Sequence, residues 1–148
     1  ERARADAEAL GYGFTSLKRE TLREGASTYR ELLGELESPV DALWLPQGSP
    51  FVAESSVLQM ILRAAWDRNI VVFSSNVSHV PKGALFALFP DNAEMGRALG
   101  RLAADGKAPA GLQVLEQLDT AINIRTANHL GLGLSAGDTR FDMIFPSR

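Results

Sequence analysis

Hydrophobic and polar positions change period several times along the chain, and each change marks an element. Glu1 to Leu10 is rich in Ala, Glu and Arg and stops at Gly11, which predicts a helix. Tyr12 to Leu17 brings aromatic and β-favouring residues between Gly13 and the charged Lys18-Arg19-Glu20, which predicts a short strand. Thr21 is placed to cap a second helix whose stripe is Leu22, Tyr29, Leu32, Leu33 and Leu36, ending near Ser38-Pro39. Val40 to Leu45 reads as a buried strand running into the turn cluster Pro46-Gln47-Gly48-Ser49-Pro50. Phe51 to Arg68 sets Val57, Ile61, Leu62, Ala65 and Trp66 on one helical face, and Asn69 closes it before the strand Ile70 to Phe73.

The second half continues the alternation. Ala84 to Phe89 predicts another strand, and Ala93 to Ala104 a helix with Met95, Leu99 and Leu102 as its apolar side. Leu112 to Leu118 and Ala121 to Ile124 alternate weakly as strands, Thr126 to Leu130 offers a helical turn or two, and Phe141 to Phe145 a terminal strand. Strands alternating with helices of ten or more residues predict an α/β fold, three layers (α/β/α) around a mainly parallel sheet. The Leu and Trp stripes of the helices are expected to face the core, and Trp44 to pack within it.

Composition narrows the function. The 148 residues are 45% apolar and 22% charged, with 15 Lys and Arg against 18 Asp and Glu, a formal charge of −3. That describes a single α/β domain, residues 1–148, large enough to bury a core without staples. The absence of cysteine excludes disulfides and thiolate metal sites. The mixed charge supplies no basic stripe for nucleic acid, so no nucleic-acid partner is expected.

Candidate chemistry lies at the strand exits, because in a parallel α/β sheet ligands bind beyond the carboxyl ends of the strands. Three exits carry short hydrogen-bonding residues: Gln47-Gly48-Ser49, Ser74-Ser75-Asn76 and Pro90-Asp91-Asn92. From these, Gln47, Gly48, Ser49, Ser75, Asn76, Asp91 and Asn92 are the candidate ligand-binding residues. The same residue types also cap helices and close turns, so the weight rests on three exits sharing one sheet edge. Catalytic and metal chemistry is not indicated. His79 and His129 have no metal-ligand spacing, and His79 reads as an exposed loop histidine. No nucleophile elbow or phosphate loop occurs, Gly131-Leu132-Gly133 lacks a third glycine, and no cofactor is expected. The chain reads as a binder and not an enzyme.

Several segments together resemble a known family. Val40-Asp41-Ala42-Leu43-Trp44-Leu45-Pro46, Asn69-Ile70-Val71-Val72-Phe73-Ser74-Ser75, Lys82-Gly83-Ala84-Leu85, and Asp91 with Glu94-Met95-Gly96-Arg97 resemble the ABC-transporter substrate-binding proteins of the tryptophan/tyrosine-type group. Ala121-Ile122-Asn123-Ile124-Arg125-Thr126-Ala127 with Leu130-Gly131-Leu132 is similar to that group's closing segment, an asparagine strand leading into a Thr-Ala helix. The resemblance implies a type I periplasmic-binding-protein fold, two α/β lobes closing on a small solute. This chain would be the C-terminal lobe, with the first lobe and the opening strand of the second absent. It also implies that Asp91 lies at the hinge-side wall of the cleft, a contact for a ligand amino group. Gln47-Gly48-Ser49-Pro50 stands where many relatives carry an acidic and hydroxyl set, so the resemblance speaks for a solute site more than for an amino acid.

The expectation that follows is an extracytoplasmic solute-binding component of an ABC transporter, in the periplasm or held at the membrane as a lipoprotein. Its partners would be a small solute, the ABC permease subunits and the missing N-terminal lobe. The alternative with the same fold is a ligand-sensing regulatory domain of a signalling protein. Loss of the opening strand would leave a sheet edge open to self-association.

Overall fold

A computed structural model describes residues 2–49, 52, 55–106, 111, 114, 116–135, 137 and 140–146. The elements are α1 (Arg2–Ala9), α2 (Leu22–Glu35), β1 (Ala42–Leu45), α3 (Ser55–Asp67), β2 (Val71–Ser74), a 3-10 turn (Val77–His79), β3 (Phe86–Pro90), α4 (Asn92–Asp105), β4 (Leu118–Asn123), α5 (Ile124–His129) and β5 (Met143–Phe145). The five strands form one sheet in the order β1-β2-β3-β4-β5, with β1, β2 and β3 parallel, β4 antiparallel to β3, and β5 parallel to β4. Helices flank it, as the alternating pattern predicts. Of the predicted strand Leu112 to Leu118, residues 112, 113 and 115 lie outside the described residues, 114, 116 and 117 are in no strand, and Leu118 opens β4.

The main core lies between α2, α3 and one face of the sheet. Leu43 and Leu45 of β1 and Val72 of β2 meet Leu33 of α2 and Leu58, Ile61, Leu62 and Ala65 of α3, all buried. Thr21 caps α2 as predicted: its hydroxyl accepts from the Glu24 amide while the Glu24 carboxylate accepts from the Thr21 amide. Those backbone donors hold the Glu24 carboxyl below its ordinary pKa, the bond from Glu20 contributing most. On the opposite face of the sheet the in-register residues Trp44, Phe73 and Phe86 form a stacked row, with ring centroids 6.1 Å and 5.3 Å apart.

The far end is tied by one side chain. Asn123, 6% exposed, ends β4 and caps α5: its Oδ1 accepts from the Arg125 and Thr126 amides, and its Nδ2 donates to the Val80 carbonyl at 2.7 Å. Thr126 then donates its hydroxyl to the Gly83 carbonyl. The segment that links β2 to β3 is thereby bound to the β4–α5 junction.

Three expectations are corrected. Residues 12–17 form no strand: among the described residues β1 is paired only with β2, so no ladder lies beside this segment, and Phe14 instead sets its ring edge-on to Trp44 at 6.3 Å. The apolar side of α4 is not core: no α4 residue is buried, Leu99 is 59% exposed, and neither it nor Met95 nor Leu102 joins a buried cluster. Trp66 and Trp44 are only partly covered, because each lies at the margin of its packed face.

Two substitutions test this arrangement. Ile61→Ala, at a fully buried position, is expected to cost about 2–5 kcal/mol in urea unfolding, whereas Leu99→Ala changes it by less than about 0.5 kcal/mol. Asn123→Ala strips a carbonyl and two amides of partners inside the fold and is expected to cost about 2–3 kcal/mol by the same measurement.

Candidate functional site

Because β1 and β2 are parallel and in register from Ala42↔Val71 to Leu45↔Ser74, their carboxyl ends stop side by side. The chain leaves β1 through Pro46-Gln47-Gly48-Ser49, where Gly48 takes a φ of 76° that glycine adopts without strain. It leaves β2 through Ser75-Asn76 into the 3-10 turn, capped by the Asn76 side chain accepting from the Ser78 amide. Between the two exits lies an open cavity of about 220 Å³ lined by Pro46, Gln47, Gly48, Ser49, Val52, Asn76 and His79. Complete small-molecule sites enclose roughly 300–1,000 Å³, so this has the size of one wall of a site.

Ser74 is the node beneath that cavity. It is 1% exposed, and its hydroxyl oxygen lies 3.2 Å from the Leu45 carbonyl, 3.0 Å from the Asn76 amide that donates to it, and 2.8 Å from Nδ1 of His79. Leu45 also accepts from the Ser75 amide, so the two strand ends are joined by main chain as well as by side chain. His79 is not the exposed loop residue expected. It is 6% exposed, because the 3-10 turn folds its ring back onto Ser74. Burial first, then the positive charge of Lys82, hold its pKa below the ordinary 6.5, so the ring is neutral at neutral pH. Ser49 is steadied from the other side by the phenol of Tyr29 on α2, whose own pKa is raised by burial.

The predicted site residues divide into two groups. Gln47, Gly48, Ser49 and Asn76 are brought together around the cavity. Ser75 is turned away: its hydroxyl accepts from the Trp44 indole N–H at 3.0 Å, on the aromatic face of the sheet. Asp91 and Asn92 stand apart because β3 overshoots β2. Ala87 lies opposite Ser74, and Asp91 is four residues further on, about 13 Å at 3.3 Å per residue. There Asp91 caps α4, with its Oδ1 accepting from the Ala93 and Glu94 amides. Asp119 is near it on β4, its pKa raised by burial and then by the charges of Asp91 and Asp142. The carboxylates are thus gathered at the overshooting end, and the cavity wall has none.

Sequence reasoning missed Ser74 and His79 as partners. The available signal was weak: Ser74 shares the inward face of Leu45, and His79 follows the capping Asn76 by three residues, the span of one tight turn. His129, the other histidine, is structural. Its ring stacks on Trp66 at 3.6 Å and its Nε2 lies 2.9 Å from the Trp66 carbonyl, pinning α5 to α3. Among the described residues no group of three or more His, Asp or Glu is placed to hold a metal ion, and no helix is long and apolar enough to cross a membrane.

No protein-family model matches the sequence, and no curated relative matches it. Solved structures do match its fold. The ligand-free, open structure of CD0873, a substrate-binding protein with adhesive properties from Clostridium difficile, superposes with a TM-score of 0.65 at 18% identity, over 95% of this chain and 47% of that one. An ABC domain in complex with L-Trp from Streptococcus pneumonia gives 0.64 at 20% identity, over 97% and 49%. A conserved domain protein from Vibrio cholerae gives 0.63 at 22% identity, over 95% and 47%. The chain spans about half the length of these structures and shares its α/β fold with that half.

Proposed function

We propose that this chain binds a small solute at the β1 and β2 exits, as the C-terminal lobe of an extracytoplasmic substrate-binding protein that serves an ABC transporter. The observation that carries the reading is the cavity itself: two in-register parallel strands end together and offer Gln47, Gly48, Ser49, Asn76 and His79 to one small volume. Its size as a half-site, the coverage of about half of each similar structure, and the uncovered apolar side of α4 support a second lobe that closes over it. Closure would supply the opposing contacts, with the liganded state favoured by both walls. The L-Trp complex among the similar structures makes an amino acid or a similar solute the first class to test.

Binding is favoured over catalysis by the way the Ser74–His79 pair is built. A serine nucleophile must reach substrate, whereas the Ser74 hydroxyl is enclosed and already shared among Leu45, Asn76 and His79. The outer edge of β1, which has no strand partner among the described residues, supports self-association of the chain, to be read as a concentration-dependent mass in analytical ultracentrifugation.

The test is a chemical-shift titration of the 15N-labelled chain with L-tryptophan and a panel of other L-amino acids. The amides of Gly48, Ser49 and Asn76 are expected to move at millimolar concentration, and joining the chain to a first lobe is expected to tighten binding about tenfold or more. A two-lobed protein that binds no more tightly than this lobe alone overturns the reading.

A further inference from the structure

The hydrogen bonds around Ser74 decide which proton His79 carries. The Ser74 oxygen accepts from the Asn76 amide and has one proton to give, either to the Leu45 carbonyl or to Nδ1 of His79. If Nδ1 is bare, the hydroxyl turns to it and the bond to Leu45 is lost. If Nδ1 carries the proton, it donates to the Ser74 oxygen, the hydroxyl donates to Leu45, and all three bonds are made. The second arrangement keeps one more hydrogen bond and leaves Nε2 as a bare lone pair. Nε2 has no partner among the described residues, and no buried side-chain nitrogen or oxygen among them is orphaned, so this nitrogen is reached from solvent, and His79 is one of the residues that line the cavity.

We propose that His79 selects the ligand: its Nε2, fixed by Ser74 as the positioning residue, is an uncharged acceptor for an N–H or O–H donor of the solute. This rests on the solute-binding reading and goes beyond it by naming the group recognised. The lining residues Pro46, Gln47, Gly48, Ser49, Val52 and Asn76 carry no charge, and the charged side chain acting on His79 is the cation Lys82. An ammonium leaving water would meet no countercharge on this wall, so the donor facing His79 is a neutral one, such as a hydroxyl, an amide or an indole N–H. Protonation of Nε2 converts the acceptor into a donor, and recognition of such a solute is lost as the pH falls.

The experiment uses the 15N-labelled chain with L-tryptophan and indole as probes, both free of groups that titrate between about pH 5 and 8. Long-range 1H–15N correlation at about pH 8 is expected to show the proton of His79 on Nδ1; a proton on Nε2 instead overturns the proposal. Affinity, read from the Gly48, Ser49 and Asn76 amides, is expected to fall about fivefold or more from pH 8 to the acid side of the His79 titration, which the same ring 15N shifts follow, the equivalent of one lost hydrogen bond. His79→Gln, which can place an amide oxygen near Nε2, is expected to keep the pH 8 affinity within about twofold and to abolish the pH dependence. His79→Leu is expected to lose about fivefold at pH 8; should it fold poorly, the wild-type pH profile and the Gln variant decide. Unchanged affinity in His79→Leu, or tighter binding once the ring is protonated, as an anion on an imidazolium would give, overturns the proposal while the solute-binding reading stands. If neither probe moves the three amides, both fall.

Discussion

The hydroxyl of Ser74 sets the shape of the cavity. Two parallel strands that merely end side by side leave their exit loops free to splay. Here one buried oxygen is within hydrogen-bonding distance of the last carbonyl of β1, the amide that opens the turn after β2, and the ring of His79. Such a group has to be fully satisfied to be tolerated in a buried place, and satisfying it fixes three pieces of chain at once. The loop Gln47–Ser49 and the residue Asn76 then face each other across a distance that neither loop determines alone. Asn123 performs the same service at the other end, joining β4, α5 and the 3-10 turn that carries His79.

The parts of this arrangement that depend on local pattern were legible in the sequence. The strands at Val40 to Leu45 and Ile70 to Phe73, the helix after Thr21, and the polar tips of the parallel strands follow from period, capping and turn chemistry, and the structure places them within one to three residues of expectation. What was hidden depends on neighbours. Tyr12 to Leu17 has strand composition, but a strand exists only where a ladder partner lies beside it. The stripe of α4 has the right spacing for a core helix, but spacing does not say whether a surface is present to receive it. His79 could not be paired with Ser74 because a 3-10 turn, not a period, brings them together.

Register explains why the third exit did not join the first two. Parallel strands were expected to end along one rim, which requires equal length past a common reference. β2 stops at Ser74, level with Ala87, while β3 continues to Pro90, held there by its antiparallel pairing with β4 from Phe86↔Ile122 to Pro90↔Leu118. The carboxylate of Asp91 is carried away from the cavity and is engaged at the start of α4. A ligand group that needs a negative charge would have to reach up along the overshooting strand to find it. A group lying in the cavity meets neutral donors and acceptors only.

That separation gives the chain two chemically distinct surfaces at the carboxyl ends of its parallel strands. The neutral pocket between β1 and β2 is tied by buried hydrogen bonds to the core that α2 and α3 form. The acidic end of β3 leads straight into α4, whose apolar side joins no buried cluster among the described residues. A body that covered α4 would lie beside Asp91, which caps that helix. The pocket by itself offers hydrogen bonding and no charge. If the chain binds a solute as proposed, discrimination by charge falls to a body that covers α4, which is a physical reason to divide such a site between two halves.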